Sequence, residues 1–275
     1  MIMAKKGGSS SEAKTTRDKA AAAGASAQAA EKRRERTIRI AGAVGVLIVV
    51  VAIIGIAVFA RATDGGGGSG GRDLPDVNPA AALPTGVLGP ESEYPYALPY
   101  GEGADTAPVL QLWEDFQCPA CAQLELINGS GIKELANTGQ VQLLLRPTAF
   151  LDRNLGNTSS AEAIGAWGCA VDQGRTAEYS SIVFLNQPAE GAGFTTDELI
   201  DFGQQAGIGG PDFDTFSQCV NDGTYLGWAV NSTDVFYQDE VRGTPTGYLN
   251  GQELTGAQLA DQAELQSLVD AASGN

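Results

Sequence analysis

The sequence predicts a mixed α/β domain with a helical block set between its strands, carried behind one transmembrane helix. Three observations predict it. Ala41 to Ala60 runs twenty residues without a charge. Beyond residue 96, apolar strand-like runs and helical periodicities succeed one another in the order strand, helix, strand, helical block, strand, helix. A Cys118-Pro119-Ala120-Cys121 motif falls where the first of those strands gives way to a helix.

Four stretches follow along the chain. Residues 1–40 carry ten Lys/Arg against four acids and almost no large apolar residue, which predicts a basic cytoplasmic tail without a core. Residues 41–60, bracketed by Arg39 and Arg61, are long enough as a helix to span a hydrocarbon layer of about 30 Å. A buried core helix and a cleaved secretory signal ending near Ala60-Arg61-Ala62 are the alternatives. Positive residues stay inside, so the tail is expected in the cytoplasm and everything after Arg61 outside, as a single-pass cell-membrane protein. Residues 61–95 combine Asp64–Gly71 (DGGGGSGG) with five prolines and predict a flexible Gly/Pro-rich linker. Residues 96–275 hold the folded domain, with the helical insertion at about 152–240.

Charge excludes one class of partner. The basic tail is net +6 in a chain of −16, leaving −22 for the remainder, which repels phosphate backbones. Nucleic acid is therefore not an expected partner, while lipid is, through residues 41–60. Histidine is absent, which removes Ser-His-Asp and Cys-His catalysis and every imidazole metal site.

Within the domain, Val109–Phe116 (VLQLWEDF) reads as a strand, followed by a helix from Cys118-Pro119 through Leu124, Leu126 and Ile127 toward Gly129. Val141–Leu145 is a second, buried strand ending before Pro147. Ser159-Ser160-Ala161-Glu162 offers a cap for a helix through Ile164, Trp167 and Val171, and Tyr179–Leu185 forms another. Thr195 to Glu198 caps a third, Asp212 starts a fourth, and Leu226, Ala229, Val230 and Thr233 mark a fifth. Thr246–Asn250 is a strand turning at Asn250-Gly251, with a last helix over about 257–272.

The chemistry is concentrated in Cys118 and Cys121. A cysteine at a helix N-terminus faces unpaired N–H groups and the positive end of the dipole, which stabilise its thiolate. Pro119 has no N–H to lose in the first turn. Cys121 comes round to the same face and can close a disulfide with Cys118. Zinc or copper binding and an inert disulfide are the alternatives, but no second Cys-x-x-Cys and no histidine completes a zinc site, so no metal ligand is assigned. Cys169 and Cys219 lie in predicted amphipathic helices and are expected to form a structural disulfide, two free buried thiols being the alternative. Asn128, Asn157 and Asn231 begin N-x-S/T sequons of the kind that arise by chance. Arg242-Gly243-Thr244-Pro245-Thr246 before a strand reads, alone, as a turn.

Together these segments resemble a known family. Asp105–Val109, Glu114–Cys121, Cys169–Gly174 and Val241–Thr246 with Asn250-Gly251 are similar, in consistent order over about residues 96–270, to the DsbA-like branch of the thioredoxin superfamily. The resemblance implies a thioredoxin-like fold with an inserted helical domain, Cys118 as the attacking and Cys121 as the resolving thiol. It implies a cis Pro245 packed against the disulfide and Thr244 lending backbone groups to an extended substrate. Asp115, three residues before Cys118, offers the proton acceptor that a carboxylate supplies in this superfamily, the other reading being a solvated strand-end acid. Two departures stand out: Ala120 replaces the His of the better-known oxidases, and Gly247-Tyr248 replaces bulkier apolar residues. The first implies a couple short of the strongly oxidising limit.

The expected function is an extracytoplasmic thiol–disulfide oxidoreductase oxidising cysteine pairs in secreted or cell-envelope proteins. Its expected partners are those cysteine-containing clients and a membrane protein that re-oxidises (or reduces) it, with no bound cofactor. An envelope disulfide reductase, or a metallochaperone or binding module on the same fold, are the alternatives.

Overall fold

A computed structural model describes residues 72–189 and 191–274. The expected basic tail, the membrane span at 41–60 and the first part of the linker lie outside the described residues. Among those described, no helix is long and apolar enough to cross a membrane.

Five strands form one sheet in the order β1-β3-β2-β4-β5. β2 (Val109–Glu114) alternates half-buried and buried positions from Val109 to Leu112, and Trp113 is buried on the opposite face. It pairs in parallel with β3 (Gln142–Pro147), whose Leu143, Leu144 and Leu145 are all buried, as a strand covered on both faces must be. β4 (Thr246–Leu249) runs antiparallel to β2 and turns into β5 (Gln252–Leu254). Asn250 and Gly251 both have positive φ, the conformation a two-residue hairpin turn demands. Asn250 Oδ1 also accepts from Val109 N at 2.9 Å, locking the turn to the start of β2. β1 (Leu98–Tyr100), antiparallel to β3, was not expected, because three residues are too few to show a period.

The first helix is longer and less regular than its sequence suggests. α1 (Pro119–Leu124) passes through a π-helical turn at Glu125–Gly129 into α2 (Ser130–Asn137). The wider turn rotates Leu126 and Ile127 outward, leaving them 79 % and 56 % exposed where an apolar core face was expected.

Between β3 and β4 stands the helical insertion: α3 (Phe150–Leu155), α4 (Ser159–Asp172), α5 (Thr176–Leu185), α6 (Thr196–Gln205), α7 (Pro211–Asp222) and α8 (Leu226–Gln238). Thr195 caps α6 in a reciprocal capping box with Glu198. The serine cap expected for α4 is not made. Ser159 and Ser160 are buried, and Asp152 from α3 accepts instead from Ser160 N (2.8 Å) and Ala161 N (2.9 Å). Cys169 of α4 and Cys219 of α7 are joined by a disulfide that closes a separation of 50 residues. The chain ends in α9 (Gly256–Ala260) and α10 (Gln262–Ala272), one expected helix broken at Asp261, which caps the second.

The linker expectation fails from Arg72 onward. Arg72 N donates to Glu162 and its Nη1 to Val220 O, Asn78 and Asn231 exchange two hydrogen bonds, and Thr85 N donates to Asp172. Leu74, Leu83 and Val87 pack on the core. The segment folds through successive turns at 78–81, 84–87 and 89–97 as a strap that docks across α4, α7 and α8, because its apolar residues find a surface to cover.

Candidate active site

The site is built where β2 ends. β2 delivers Glu114 and Asp115, a turn of Phe116 and Gln117 follows, and Cys118 is the N-cap of α1. Pro119 and Ala120 are exposed in the first turn. Cys118 is 7 % exposed and Cys121 fully buried, both as free thiols. Across from them the Thr244-Pro245 bond is cis, and Cys118 Sγ donates to Thr244 O at 3.3 Å. Thr244 Oγ1 is buried and turned toward the sulfurs, where it favours their charged form.

The two thiols are electrostatically unlike. The Cys118 thiol is lowered to about 6, first by the hydrogen bond of the Cys121 thiol and then by Thr244 and the backbone N–H groups of Cys121 and Ala120, against desolvation by burial. Burial pushes Cys121 well above the ordinary thiol range, and Cys118 and Glu114 add to the push. One sulfur is poised to attack or leave, and the other to stay protonated.

A carboxylate whose charge bears on this pair is Glu114, not singled out as a site residue from the sequence. Alternation along β2 puts Glu114 on the side of Leu110 and Leu112, and Asp115 on the other. That period was the signal available. Glu114 opens onto a cavity of about 30 Å³, room for a water, between the sheet, α1 and the insertion. Its carboxyl is raised to about 8, by desolvation first and by the Glu125 charge second, with Lys133 opposing. Glu125 is held in the same cavity by Lys133 Nζ at 2.5 Å and Ser181 Oγ at 2.5 Å.

Asp115 is not a solvated strand-end acid. It is fully buried, and accepts from Ser160 Oγ (2.5 Å), Gln117 N (2.8 Å) and Leu151 N (3.1 Å). Burial raises it to about 7 against those three hydrogen bonds. Gln117 extends the network, its Nε2 reaching Asp152 (2.7 Å), Ser160 (2.9 Å) and Asn157 (3.0 Å). The turn before Cys118 is thereby fastened to the insertion. Asn128, Asn157 and Asn231, the sequon asparagines, are all committed to hydrogen bonds inside the fold. No cluster of metal-ligating side chains is present among the described residues.

Comparison with known proteins agrees with this architecture. The family model described as Thioredoxin matches residues 100–271. No curated protein matches the chain in sequence. Among solved structures, the oxidised DsbA of Mycobacterium tuberculosis is 24 % identical, with a TM-score of 0.53 over 65 % of this chain and 93 % of that one. MdbA of Actinomyces oris, a thiol-disulfide oxidoreductase, is 23 % identical, with a TM-score of 0.57 over 73 % and 97 %. Oxidised BdbD of Bacillus subtilis is 18 % identical, with a TM-score of 0.54 over 64 % and 92 %. These likenesses establish a shared fold. Since the family match spans more than half of the chain and includes a dithiol at a helix N-terminus, the chain belongs to the thioredoxin family and is an oxidoreductase.

Proposed function

We propose that the chain is a membrane-anchored thiol–disulfide oxidoreductase that works outside the cytoplasm and oxidises cysteine pairs in secreted or cell-envelope proteins. The observation that carries this reading is the asymmetry of the two thiols: Cys118, 7 % exposed, is lowered to about 6, and Cys121, fully buried, is raised. A stabilised thiolate favours the reduced enzyme, so its disulfide is readily passed to a client.

In the forward direction a client thiolate attacks Cys118 Sγ of the disulfide, forming a mixed disulfide and expelling Cys121 as thiolate. Glu114, raised to about 8 and so neutral at pH 7, has a proton to give that thiolate. A second client thiolate then attacks the client sulfur of the mixed disulfide, and Cys118 leaves as its stable thiolate. The client loses two electrons to the Cys118–Cys121 pair, and a membrane partner must remove them. The location is supported by the charge asymmetry around residues 41–60 and by the Cys169–Cys219 disulfide, which fits an oxidising compartment.

In cells, Cys121→Ser should accumulate mixed disulfides with client proteins while Cys118→Ser accumulates few. Equal trapping by both would undo the division of roles. A protease added outside intact cells should release the acidic domain, and protection until lysis would refute the orientation. Faster reduction than oxidation of model clients would turn the assignment toward a reductase.

A further inference from the structure

The turn that presents Cys118 is held from outside the thioredoxin-like part by one amide. Gln187, just past the end of α5, donates through Nε2 to Phe116 O at 2.7 Å and to Cys118 O at 3.0 Å. Those carbonyls flank Gln117, whose own side chain is gripped by Asp152, Asn157 and Ser160. Residues 116–118 are thus clamped on two sides by the insertion. The Gln187 arm is seated by Phe184, whose ring lies 4.8 Å from that of Phe116.

The Cys118 carbonyl also accepts from Cys121 N (3.1 Å) and Ala122 N (3.2 Å), the first bonds of α1. Gln187 therefore bonds the very group that registers the cysteine on its helix. The N–H groups of Ala120 and Cys121 stabilise a charge on Cys118 Sγ only while the N-cap keeps its angle to the first turn. A carbonyl at the mouth of an active site has water as its other partner, which would leave that angle free to rock.

We propose that Gln187 is a positioning residue of the redox site: its amide fixes the Phe116–Cys118 turn, so that the helical insertion, and not α1 alone, sets how readily Cys118 exchanges. The inference rests on the exchange chemistry proposed for Cys118, but its test needs no client. Gln187 touches no reacting atom and acts through the backbone of Cys118.

The test uses purified protein carrying Gln187→Met, which keeps length and loses the donors, and Gln187→Glu, which also sets a carboxylate against the two carbonyls. Three quantities are read: thiolate absorbance of the reduced form against pH, the dithiol–disulfide equilibrium in glutathione buffers, and the melting temperatures of both redox forms. The thiolate fraction at pH 6 should fall several-fold in the Met variant and further in the Glu variant, and the equilibrium should shift toward the disulfide by a similar factor. A merely structural role would lower both melting temperatures equally and leave the thiolate titration in place, which would overturn the proposal. So would an unchanged titration in whichever variant folds. Loss of client oxidation with these shifts intact would instead count against the proposed function.

Discussion

A Cβ on Gly129 would lie 2.2 Å from Glu125 Oε2, so the π turn can fold Glu125 back into the cavity only because residue 129 has no side chain. The carboxylate it makes room for is the largest charged influence raising Glu114.

Gly129→Ala should therefore expel the Glu125 carboxylate from Lys133 and Ser181 and lower the Glu114 midpoint from about 8 toward the ordinary carboxylate range. Glu125→Gln should do the same without a steric push. Alanine in place of a helical glycine otherwise gains ~0.5–1 kcal/mol, so little net loss of stability is expected in the first variant. Carboxyl-carbon titration by NMR reads the midpoint, and no movement in either variant would separate Glu125 from the site.

Ala120 is exposed in the first turn beside Cys118 and brings neither donor nor charge. Ala120→His should lower the Cys118 thiol below about 6 and make the couple more oxidising, by 29.6 mV for each tenfold change in equilibrium constant. Wild type should lie between the thioredoxin-like and strongly oxidising limits, about −270 and −120 mV. A glutathione-buffered titration that puts wild type at the oxidising limit would show that residue 120 does not set the poise.

Opening the Cys169–Cys219 bridge should cost ~2–5 kcal/mol, since it closes a separation of 50 residues between α4 and α7. Cys169→Ser with Cys219→Ser, compared with wild type in urea, measures the loss. The Cys118 titration should survive it, because neither residue reaches the redox pair; a coupled change would tie the bridge to the site.

Stability of the oxidised form should fall as pH rises from about 4 to about 8. Asp115, Asp152 and Glu114 have folded-state values of about 7, 6 and 8, raised in each case by desolvation first. The folded protein binds more protons than the unfolded one across that window, so their contribution is complete below the unfolded values and lost through the folded ones. Histidine is absent and the disulfide removes the Cys118 thiol from the titration. Asp115→Asn should reduce the slope between pH 4 and 7 and Glu114→Gln the slope up to 8, in urea unfolding across pH. Parallel pH profiles for wild type and both variants would contradict the buried-carboxylate assignment.

The sequence by itself determined the strand-to-helix junction, the Cys118–Cys121 dithiol at it and the order of the main elements, because these are written in short-range patterns: a period of two, a period of 3.6, a proline in a first turn. It also showed which chemistry was excluded, since a missing residue type is missing everywhere. What it did not determine was which polar side chains meet. Asp115 and Glu114 are neighbours in the chain, yet one is spent on the insertion and the other faces the cavity it shares with Glu125 and Lys133, a choice made by the side of the sheet on which α1 packs. Gln117 and Gln187 meet one turn of backbone from different elements, 70 residues apart in the chain, and no local signal announces that. The strap at residues 72–95 read as a tether because proline and glycine specify stiffness and freedom but not whether a surface lies alongside. Hydrogen-bond partners, buried charge and docking are relations between distant segments, and only the tertiary structure, by closing the chain on itself, decides them.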